Sequence, residues 1–209
     1  AAPSANTSGR PSPTRAEHVA EDLDGRIEMI VDGGPVEIGV ESTILDMTVT
    51  PPMILRPGAV TREMLEELIG EVAVDQTLLK ADSRTAPKAP GMKYRHYAPK
   101  ANLVVVEGEM EEVTAWIRQT AAARQQEGKR VGIIATEETK ESYPDGDVKV
   151  AGTRADEATI ASSLYGILRE FDGDGVDEIY SEAFASGGIG AAVMNRLLKA
   201  AGHQVIRIT

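Results

Sequence analysis

Apolar positions in the second half of the chain follow two different periods. Residues 103–106 and 131–135 are short, almost wholly apolar runs typical of buried strands, and weaker runs lie at 148–150, 178–181 and 204–208. Between these runs apolar residues recur every three or four positions, at Met110, Val113, Ile117 and Ala121, at Ile160, Leu164, Leu168 and Phe171, and at Ile189, Val193, Leu197 and Ala201. This alternation predicts a parallel sheet between two helical layers, a Rossmann-like three-layer unit.

The first half of the chain mixes short β-like runs with two predicted helices. Residues 1–13 are rich in Ser, Pro, Gly and Ala and predict a loop, which ends at Thr14, three residues before a glutamate, the spacing of a capping box. The first helix would extend to about Leu23. Four β-like runs follow, at residues 27–31, 36–40, 43–47 and 53–55. The second helix is predicted to begin at Thr61 and to end at Gly70.

The stretch at residues 80–101 differs from both halves in charge and backbone preference. It holds six basic residues against one acidic residue, and its three prolines and one glycine disfavour regular structure. We therefore predict three segments, residues 1–80, a basic interdomain linker at 81–101, and residues 102–209. A single long domain is the alternative that a chain of 209 residues also allows.

Composition and charge narrow the possible functions. Hydrophobic residues make up 42% of the chain and charged residues 26%, as in globular proteins, which argues against a disordered or collagenous chain. The net charge of -11 argues against a protein that coats nucleic acid, so an anionic ligand must meet a local basic patch. The absence of cysteine excludes disulfides and thiolate zinc sites and favours a cytoplasmic location. No apolar run in the sequence is long enough to predict a membrane span.

Hydroxyl and amide side chains are concentrated at the start of the chain. Ser4 and Asn6 are two residues apart, so in an extended segment they would point to one side and hold a phosphate or carboxylate together. Ser12 and the predicted helix start at Thr14 add a hydroxyl and free backbone N–H groups, as an anion site at a helix N-terminus requires. Because Ser and Asn are also common in turns, ordinary turn chemistry is the alternative.

Three further segments carry candidate binding groups. Glu41 and Ser42 interrupt a β-like run, in which Glu41 would otherwise lie on the solvent face. Arg56 ends a strand just before a Pro-Gly pair, where a guanidinium can reach a phosphate, although a surface arginine is the commoner case. The Tyr-Arg-His-Tyr sequence at residues 94–97 suits a nucleotide, or a hinge that packs on a domain surface.

Several other functional classes are excluded or disfavoured by motif. The three histidines have no metal-ligand spacing, so no zinc site is predicted. The Gly-rich sequence at residues 187–190 lacks a full G-x-G-x-x-G pattern and predicts helix packing and capping rather than a dinucleotide site. The sequence contains neither a P-loop nor a G-x-S-x-G nucleophile elbow.

Four motifs, taken in order, resemble the Sua5/YrdC/YwlC family, whose members are threonylcarbamoyl-AMP synthases. They are Ser-Ala-Asn-x-Ser-Gly with Ser-Pro-Thr at 4–14, Glu-Ser-Thr-Ile at 41–44, Leu-Arg-Pro-Gly at 55–58, and Pro-Gly-Met-Lys-Tyr-Arg-His-Tyr-Ala-Pro at 90–99. The resemblance also includes Ala-Val-Met-Asn-Arg-Leu at 192–197, and so covers nearly the whole chain. It implies an α/β fold, with the C-terminal half of a YrdC-like catalytic domain in residues 1–80 and a Rossmann-like Sua5 C-terminal domain with a mostly parallel sheet in residues 102–209.

The resemblance also implies a reaction. Family members join L-threonine, bicarbonate and ATP to give threonylcarbamoyl-AMP and pyrophosphate, which makes them nucleotidyltransferases, and Mg²⁺ is the expected companion of ATP. The product is the donor for the N6-threonylcarbamoyladenosine (t6A) modification of tRNA, so a tRNA threonylcarbamoyl transferase machinery is the implied downstream partner. No catalytic nucleophile and no protein-built metal site are implied, since positioning and charge compensation carry the reaction.

Individual residues receive roles only through this resemblance. It implies that ATP is contacted by four side chains, those of Ser4, Ser12, Arg56 and Arg95. L-threonine would be contacted by the Ala2 backbone and by Ser42, and Asn6 would support the phosphate side of the same loop. The basic linker would cross the mouth of the site as a lid.

The start of the chain raises a further expectation. In the family the catalytic domain begins more than a hundred residues earlier, so we expect that its N-terminal part is missing here and that the chain alone is inactive. A non-catalytic module that binds nucleotide or double-stranded RNA is the alternative function, although the net charge of -11 allows only weak RNA binding. A partial gene or protein piece with no function of its own is the third interpretation.

Overall fold

The computed structural model of the chain describes residues 4–75, 78 and 98–208. Within these ranges the chain forms a sheet of three strands, a sheet of five strands and five α-helices. None of the helices in the described ranges is long and apolar enough to cross a lipid bilayer.

The first part of the chain contains the three-stranded sheet. Its elements are α1 (Ala16–Leu23), β1 (Ile44–Asp46), β2 (Met53–Arg56), α2 (Arg62–Ile69) and β3 (Ala73–Val74). Strand β2 lies in the middle, antiparallel to β1 and parallel to β3. Helix α2 begins as predicted, because the Thr61 hydroxyl accepts a hydrogen bond from the Met64 N–H at 3.4 Å, and it ends as predicted at Gly70, with φ of +80°.

Two predicted strands and one predicted helix cap in this part are absent from the structure. Residues 27–31 and 36–40 are not strands; they follow an irregular path in which Met29 is 77% exposed and Val31 is 84% exposed. Apolar side chains favour a strand only where a neighbour completes its backbone hydrogen bonds. The capping box at Thr14 is also wrong: Arg15 occupies the N-cap position, and the Thr14 N–H donates instead to the ring of His18 at 3.1 Å.

The second part forms the predicted parallel sheet. The strands are β4 (Asn102–Glu107), β5 (Val131–Ala135), β6 (Asp147–Val150), β7 (Glu178–Glu182) and β8 (Val205–Arg207). They lie in the order β6-β5-β7-β4-β8, and every described pairing is parallel. The helices between them are α3 (Met110–Gln126), α4 (Glu157–Asp174) and α5 (Gly190–Ala200).

Helices cover both faces of this sheet, which confirms the three-layer prediction. On one face Val113, Ile117 and Ala121 of α3 pack with strand residues such as Val104 and Val106. On the other face the apolar sides of α4 and α5 pack with Leu103, Val105 and Ile179. The Gly-rich start of α5 has the predicted packing role, since a Cβ on Gly190 would lie 2.5 Å from the Ala185 carbonyl oxygen.

The first part of the chain rests on α4 and α5. Val40 packs against the core that these helices form, and a Cβ on Gly39 would lie 2.3 Å from the Ala161 carbonyl oxygen. The division into residues 1–80, 81–101 and 102–209 stays a prediction, because most of the proposed linker lies outside the described residues. The contacts nevertheless place residues 39–41 directly on the second part.

Candidate functional site

The loop at residues 4–14 bends instead of extending. Bends lie at residues 5–6 and a turn at residues 8–9, and Gly9 has φ of +89°. The Asn6 amide nitrogen donates to the carbonyl oxygens of Thr7, at 2.9 Å, and Arg10, at 3.4 Å. This geometry matches the turn chemistry that we gave as the alternative, with Asn6 shaping the loop and Ser4 exposed at its start.

Ser12 is tied to Glu41, far along the sequence. The Ser12 hydroxyl donates to a Glu41 carboxylate oxygen at 2.8 Å. Its oxygen retains lone pairs, but its proton is used within the protein. An ATP phosphate that contacts Ser12 would therefore compete with Glu41 for the hydroxyl proton.

Glu41 is not the solvent-facing residue that strand periodicity suggested. Its side chain is 15% exposed, and its carboxylate also accepts hydrogen bonds from the Tyr165 hydroxyl at 2.9 Å and from Arg196 Nε at 2.7 Å. Burial by itself would raise the pKa of Glu41, but the charge and hydrogen bonds of Arg196 and the Ser12 hydroxyl outweigh it, so the pKa lies below its usual range. Glu41 is therefore a buried, charged acceptor.

Ser42 and Arg56, which the resemblance assigns to different substrates, lie in contact. Arg56, at the end of β2, donates from Nε to the Ser42 carbonyl oxygen at 3.0 Å. The chain then turns at Gly58, where a Cβ would lie only 2.4 Å from the Thr43 nitrogen, so residues 56–58 pack tightly on residues 41–43. The Ser42 side chain is exposed, and Arg56 is partly exposed, so both are open to a ligand.

Cationic side chains of α5 lie behind this contact. Arg196 is buried, and Lys199 follows one turn later and is 6% exposed. The pKa of Lys199 is lowered to about 8, chiefly by burial and secondly by the positive charges of Arg196 and Arg56. The region around Arg56 is therefore electropositive, in contrast to the chain as a whole.

Replacing Lys199 with methionine should stabilise the protein near pH 7. The native pKa of about 8 lies below the ordinary lysine value, and a difference of about two units corresponds to a penalty of up to about 3 kcal/mol. Between the two pKa values the unfolded chain keeps a proton that the native chain lacks, so wild-type stability should rise as pH increases from 8 to about 10.4. Denaturant unfolding of wild type and K199M across pH 7–10 measures this, and equal stability at every pH would contradict it.

A second buried arginine holds the loop from behind. Arg169 of α4 donates to the Pro11 carbonyl oxygen at 2.6 Å and to the Asp22 carboxylate at 3.0 Å. Asp22 in turn accepts the Thr7 N–H at 3.0 Å and pairs with Arg10. Burial would raise the pKa of Asp22, but hydrogen bonds from Arg169 and Thr7 hold it below its usual range. The loop that carries Ser4 and Ser12 is thus fastened to α4.

The structure brings some of the implied site residues together and leaves others undecided. Ser12 approaches Ser42 and Arg56 through Glu41, whereas Ser4 and Asn6 belong to the adjoining loop. The assignments to Ala2 and Arg95, and the lid formed by the linker, lie outside the described residues.

Three residues that connect these segments, Arg169, Arg196 and Tyr165, received no role from the sequence, although Arg196 lies within the motif at 192–197. A signal was present, because Arg169 directly follows Leu168 in the buried stripe of α4, and Arg196 lies between Val193 and Leu197 in that of α5. A charged residue at the edge of an apolar stripe indicates a buried partner.

Family models match both parts of the chain. Residues 60–202 match the model described as threonylcarbamoyl-AMP synthase, C-terminal domain. Residues 1–58 match a Sua5/YciO/YrdC model described as telomere recombination.

Curated relatives match almost the whole chain. The chain is 52% identical over 207 residues to a threonylcarbamoyl-AMP synthase of Bacillus subtilis, covering 99% of the chain and 58% of that protein. It is 48% identical over 208 residues to a threonylcarbamoyl-AMP synthase of Pyrococcus abyssi, covering 100% of the chain and 59% of that protein. The chain therefore spans somewhat less than three fifths of the length of these relatives. The matches do not bear out the expectation that the chain is an inactive piece.

Solved structures show the same fold. The structure of Pyrococcus abyssi Sua5 complexed with L-threonine superposes with a TM-score of 0.88 at 46% identity, covering 99% of the chain and 59% of that structure. An H234A/Y235A variant of the same protein superposes with a TM-score of 0.89 at 46% identity, covering 99% of the chain and 58% of that structure.

Proposed function

The chain belongs to the Sua5 family of threonylcarbamoyl-AMP synthases, and on this premise we propose that it carries substrate-binding segments of an enzyme that makes threonylcarbamoyl-AMP from L-threonine, bicarbonate and ATP. One observation of the structure supports this most strongly. The segment assigned to L-threonine, at Ser42, and the segment assigned to ATP, at Arg56, meet through a hydrogen bond of 3.0 Å. Two substrates bound there would be neighbours. The L-threonine complex of a relative with the same fold gives independent support.

The proposed reaction needs no covalent intermediate with the protein. The amino group of L-threonine combines with bicarbonate to form a carbamate, with loss of water. A carbamate oxygen then attacks the α-phosphorus of ATP, and the bond to the β-phosphate oxygen breaks to release pyrophosphate. The enzyme would act by holding the carbamate against the phosphate and by excluding water, since the carbamate is labile.

The described side chains supply the means for that positioning. The Arg56 guanidinium would offset negative charge on the phosphates, as a fork-shaped donor suited to phosphate oxygens. The charge of Arg196 is balanced by Glu41, so it is buried Lys199 that adds positive potential behind Arg56. Ser42, exposed beside Arg56, would contact L-threonine, while Ser12 and Ser4 would lie on the ATP side of the loop.

Magnesium has no protein-built site in the described ranges. No group of three or more His, Asp or Glu residues there could hold a metal ion. Mg²⁺ prefers water, one or two carboxylates and substrate phosphates, so it would accompany ATP.

The proposed function also implies where the product is used and by which class of enzyme. Threonylcarbamoyl-AMP would be consumed by a transferase that modifies adenosine in tRNA, in the cytoplasm. Nothing in the described residues favours the alternative of a non-catalytic nucleotide or double-stranded RNA binding module. Tight binding of duplex RNA with no affinity for ATP or L-threonine would favour that alternative over the enzyme.

Replacing Arg56 with alanine should weaken ATP binding selectively. Loss of a charge-assisted hydrogen bond costs about 1.5 to 3 kcal/mol, which corresponds to a roughly tenfold to hundredfold weaker affinity. Titration calorimetry of the purified chain with ATP and, separately, with L-threonine measures the effect, and the L-threonine affinity should change much less.

Arg62 provides the matched control. It is an exposed arginine paired with Glu66 on the surface of α2, at a distance of 2.8 Å. R62A should bind ATP like the wild type. If R56A and R62A behaved alike, or if the wild-type chain bound neither substrate, the proposed function of these residues would have to be abandoned.

A further inference from the structure

We propose that Arg196 and Glu41 are positioning residues for both substrates, and that the second part of the chain thereby holds the binding site in its working shape. This inference rests on the proposed function, because it concerns the same site. It gives the Rossmann-like part a role that its own strands and loops do not reveal.

Arg196 connects two segments of the first part to α5. Its side chain is 1% exposed, and each guanidinium nitrogen donates a hydrogen bond. Nε donates to the Glu41 carboxylate at 2.7 Å, and one terminal nitrogen donates to the Pro57 carbonyl oxygen at 2.8 Å. The other donates to the Glu41 carbonyl oxygen at 3.3 Å. One side chain therefore fixes the backbone next to Ser42 and the backbone next to Arg56.

Glu41 extends the connection to the loop that carries Ser12. Its carboxylate accepts from Ser12 at 2.8 Å, from Tyr165 of α4 at 2.9 and 3.0 Å, and from Arg196 of α5. Two helices of the second part thus meet two segments of the first part at one carboxylate. The implied ATP and L-threonine residues are held by the same group.

The chemistry of this cluster favours positioning over simple adhesion. A buried ion pair often stabilises a fold no better than apolar residues of similar size, because both charges must leave water. Forked hydrogen bonds do fix direction and register, which apolar contacts do not. Since a displacement of about 1 Å can cost on the order of a hundredfold in a reaction, direction and register at Ser42 and Arg56 matter.

The affinities for the two substrates distinguish a positioning role of Arg196 from direct contact with one substrate. Loss of Arg56 should weaken ATP binding far more than L-threonine binding, whereas loss of Arg196 should weaken binding of both ATP and L-threonine. We expect R196A to bind each substrate roughly tenfold to a hundredfold more weakly. Y165F removes the hydroxyl that donates to Glu41 but keeps the ion pair, so it should have a smaller effect on both.

The test uses the full chain in three measurements. Titration calorimetry gives the ATP and L-threonine affinities of wild type, R196A, Y165F and the control R207A, whose exposed pair with Glu107 lies away from the site. The titrations of R196A are repeated with millimolar guanidinium, which can replace the lost group beside Glu41. Hydrogen exchange follows the backbone amides of residues 40–46 and of strands β4, β5 and β7.

The expected result is a joint loss of both affinities in R196A, partial recovery with guanidinium, and faster exchange at residues 40–46 with the central strands still protected. Unchanged affinities and unchanged exchange in R196A would overturn the proposal. Faster exchange throughout the sheet without rescue by guanidinium would also overturn it, since Arg196 would then only support folding. If the wild type bound neither substrate, the proposed function would fail, and exchange at residues 40–46 would still decide whether Arg196 holds that segment.

Discussion

Replacing Arg169 with methionine should lower the free energy of unfolding by about 3 to 5 kcal/mol, because it leaves the buried Asp22 carboxylate without its main partner. The side chains of Arg169 and Asp22 are 1% and 0% exposed, and Arg169 also satisfies the Pro11 carbonyl oxygen. For a chain of this length each 1 kcal/mol lowers the melting temperature by roughly 2 to 4 °C, so a fall of roughly 6 to 20 °C is expected in differential scanning calorimetry.

The matched control for R169M is R207A. Arg207 also pairs with a carboxylate, that of Glu107, but its side chain is 76% exposed, and exposed pairs contribute about 1 kcal/mol or less. A variant R169M as stable as R207A would show that the ion pair between Arg169 of α4 and Asp22 of α1 does not hold the two parts together.

Replacing Gly39 with alanine should separate the first part of the chain from α4. Gly39 has φ of +70°, and a Cβ there would lie 2.3 Å from the Ala161 carbonyl oxygen and 2.4 Å from the Ser162 Cα, so backbone must move. The left-handed conformation costs about 1 to 2 kcal/mol for a residue with a Cβ, and overpacking adds about 1 to 3 kcal/mol. Denaturant unfolding measures the sum.

Gly34 separates the two contributions. It has φ of +88° but no atom within 4 Å of a Cβ position, so G34A carries only the conformational cost. G39A should therefore be the less stable variant, and faster proteolysis within residues 4–60 should accompany the loss. Equal stability of G39A and G34A would contradict the close contact between residues 39–41 and α4.

The second part of the fold was predictable because its local signals agree with its tertiary structure. Strands such as residues 131–135 are apolar on both faces, which predicts a strand buried between two layers. Helices such as α4 have a regular apolar stripe, which predicts both the helix and the face that it buries. The first part lacks this agreement. Residues 27–31 have the composition of a strand, but pairing depends on segments elsewhere in the chain, which composition does not encode.

The site was predictable only in part, for a related reason. Motif resemblance selected Ser12, Ser42 and Arg56, and the structure places Ser42 and Arg56 in contact and links Ser12 to them through Glu41. The connection through Glu41 was missed, because two-residue periodicity assigns it to solvent. Glu41 is buried because it pairs with Arg196, which lies 155 residues later in the chain. Local sequence patterns cannot predict a pair that is so far apart.

The most direct test of the account is to locate both substrates by nuclear magnetic resonance of the isotope-labelled chain. Titration with L-threonine should shift backbone amide signals at residues 41–44, and titration with ATP should shift signals at residues 4–14 and 55–58. Signals of residues 131–135 and 178–182, on the central strands of the larger sheet, should stay in place. Shifts concentrated in those strands and the loops that follow them, with none at residues 41–44 or 55–58, would contradict the assignment of the site.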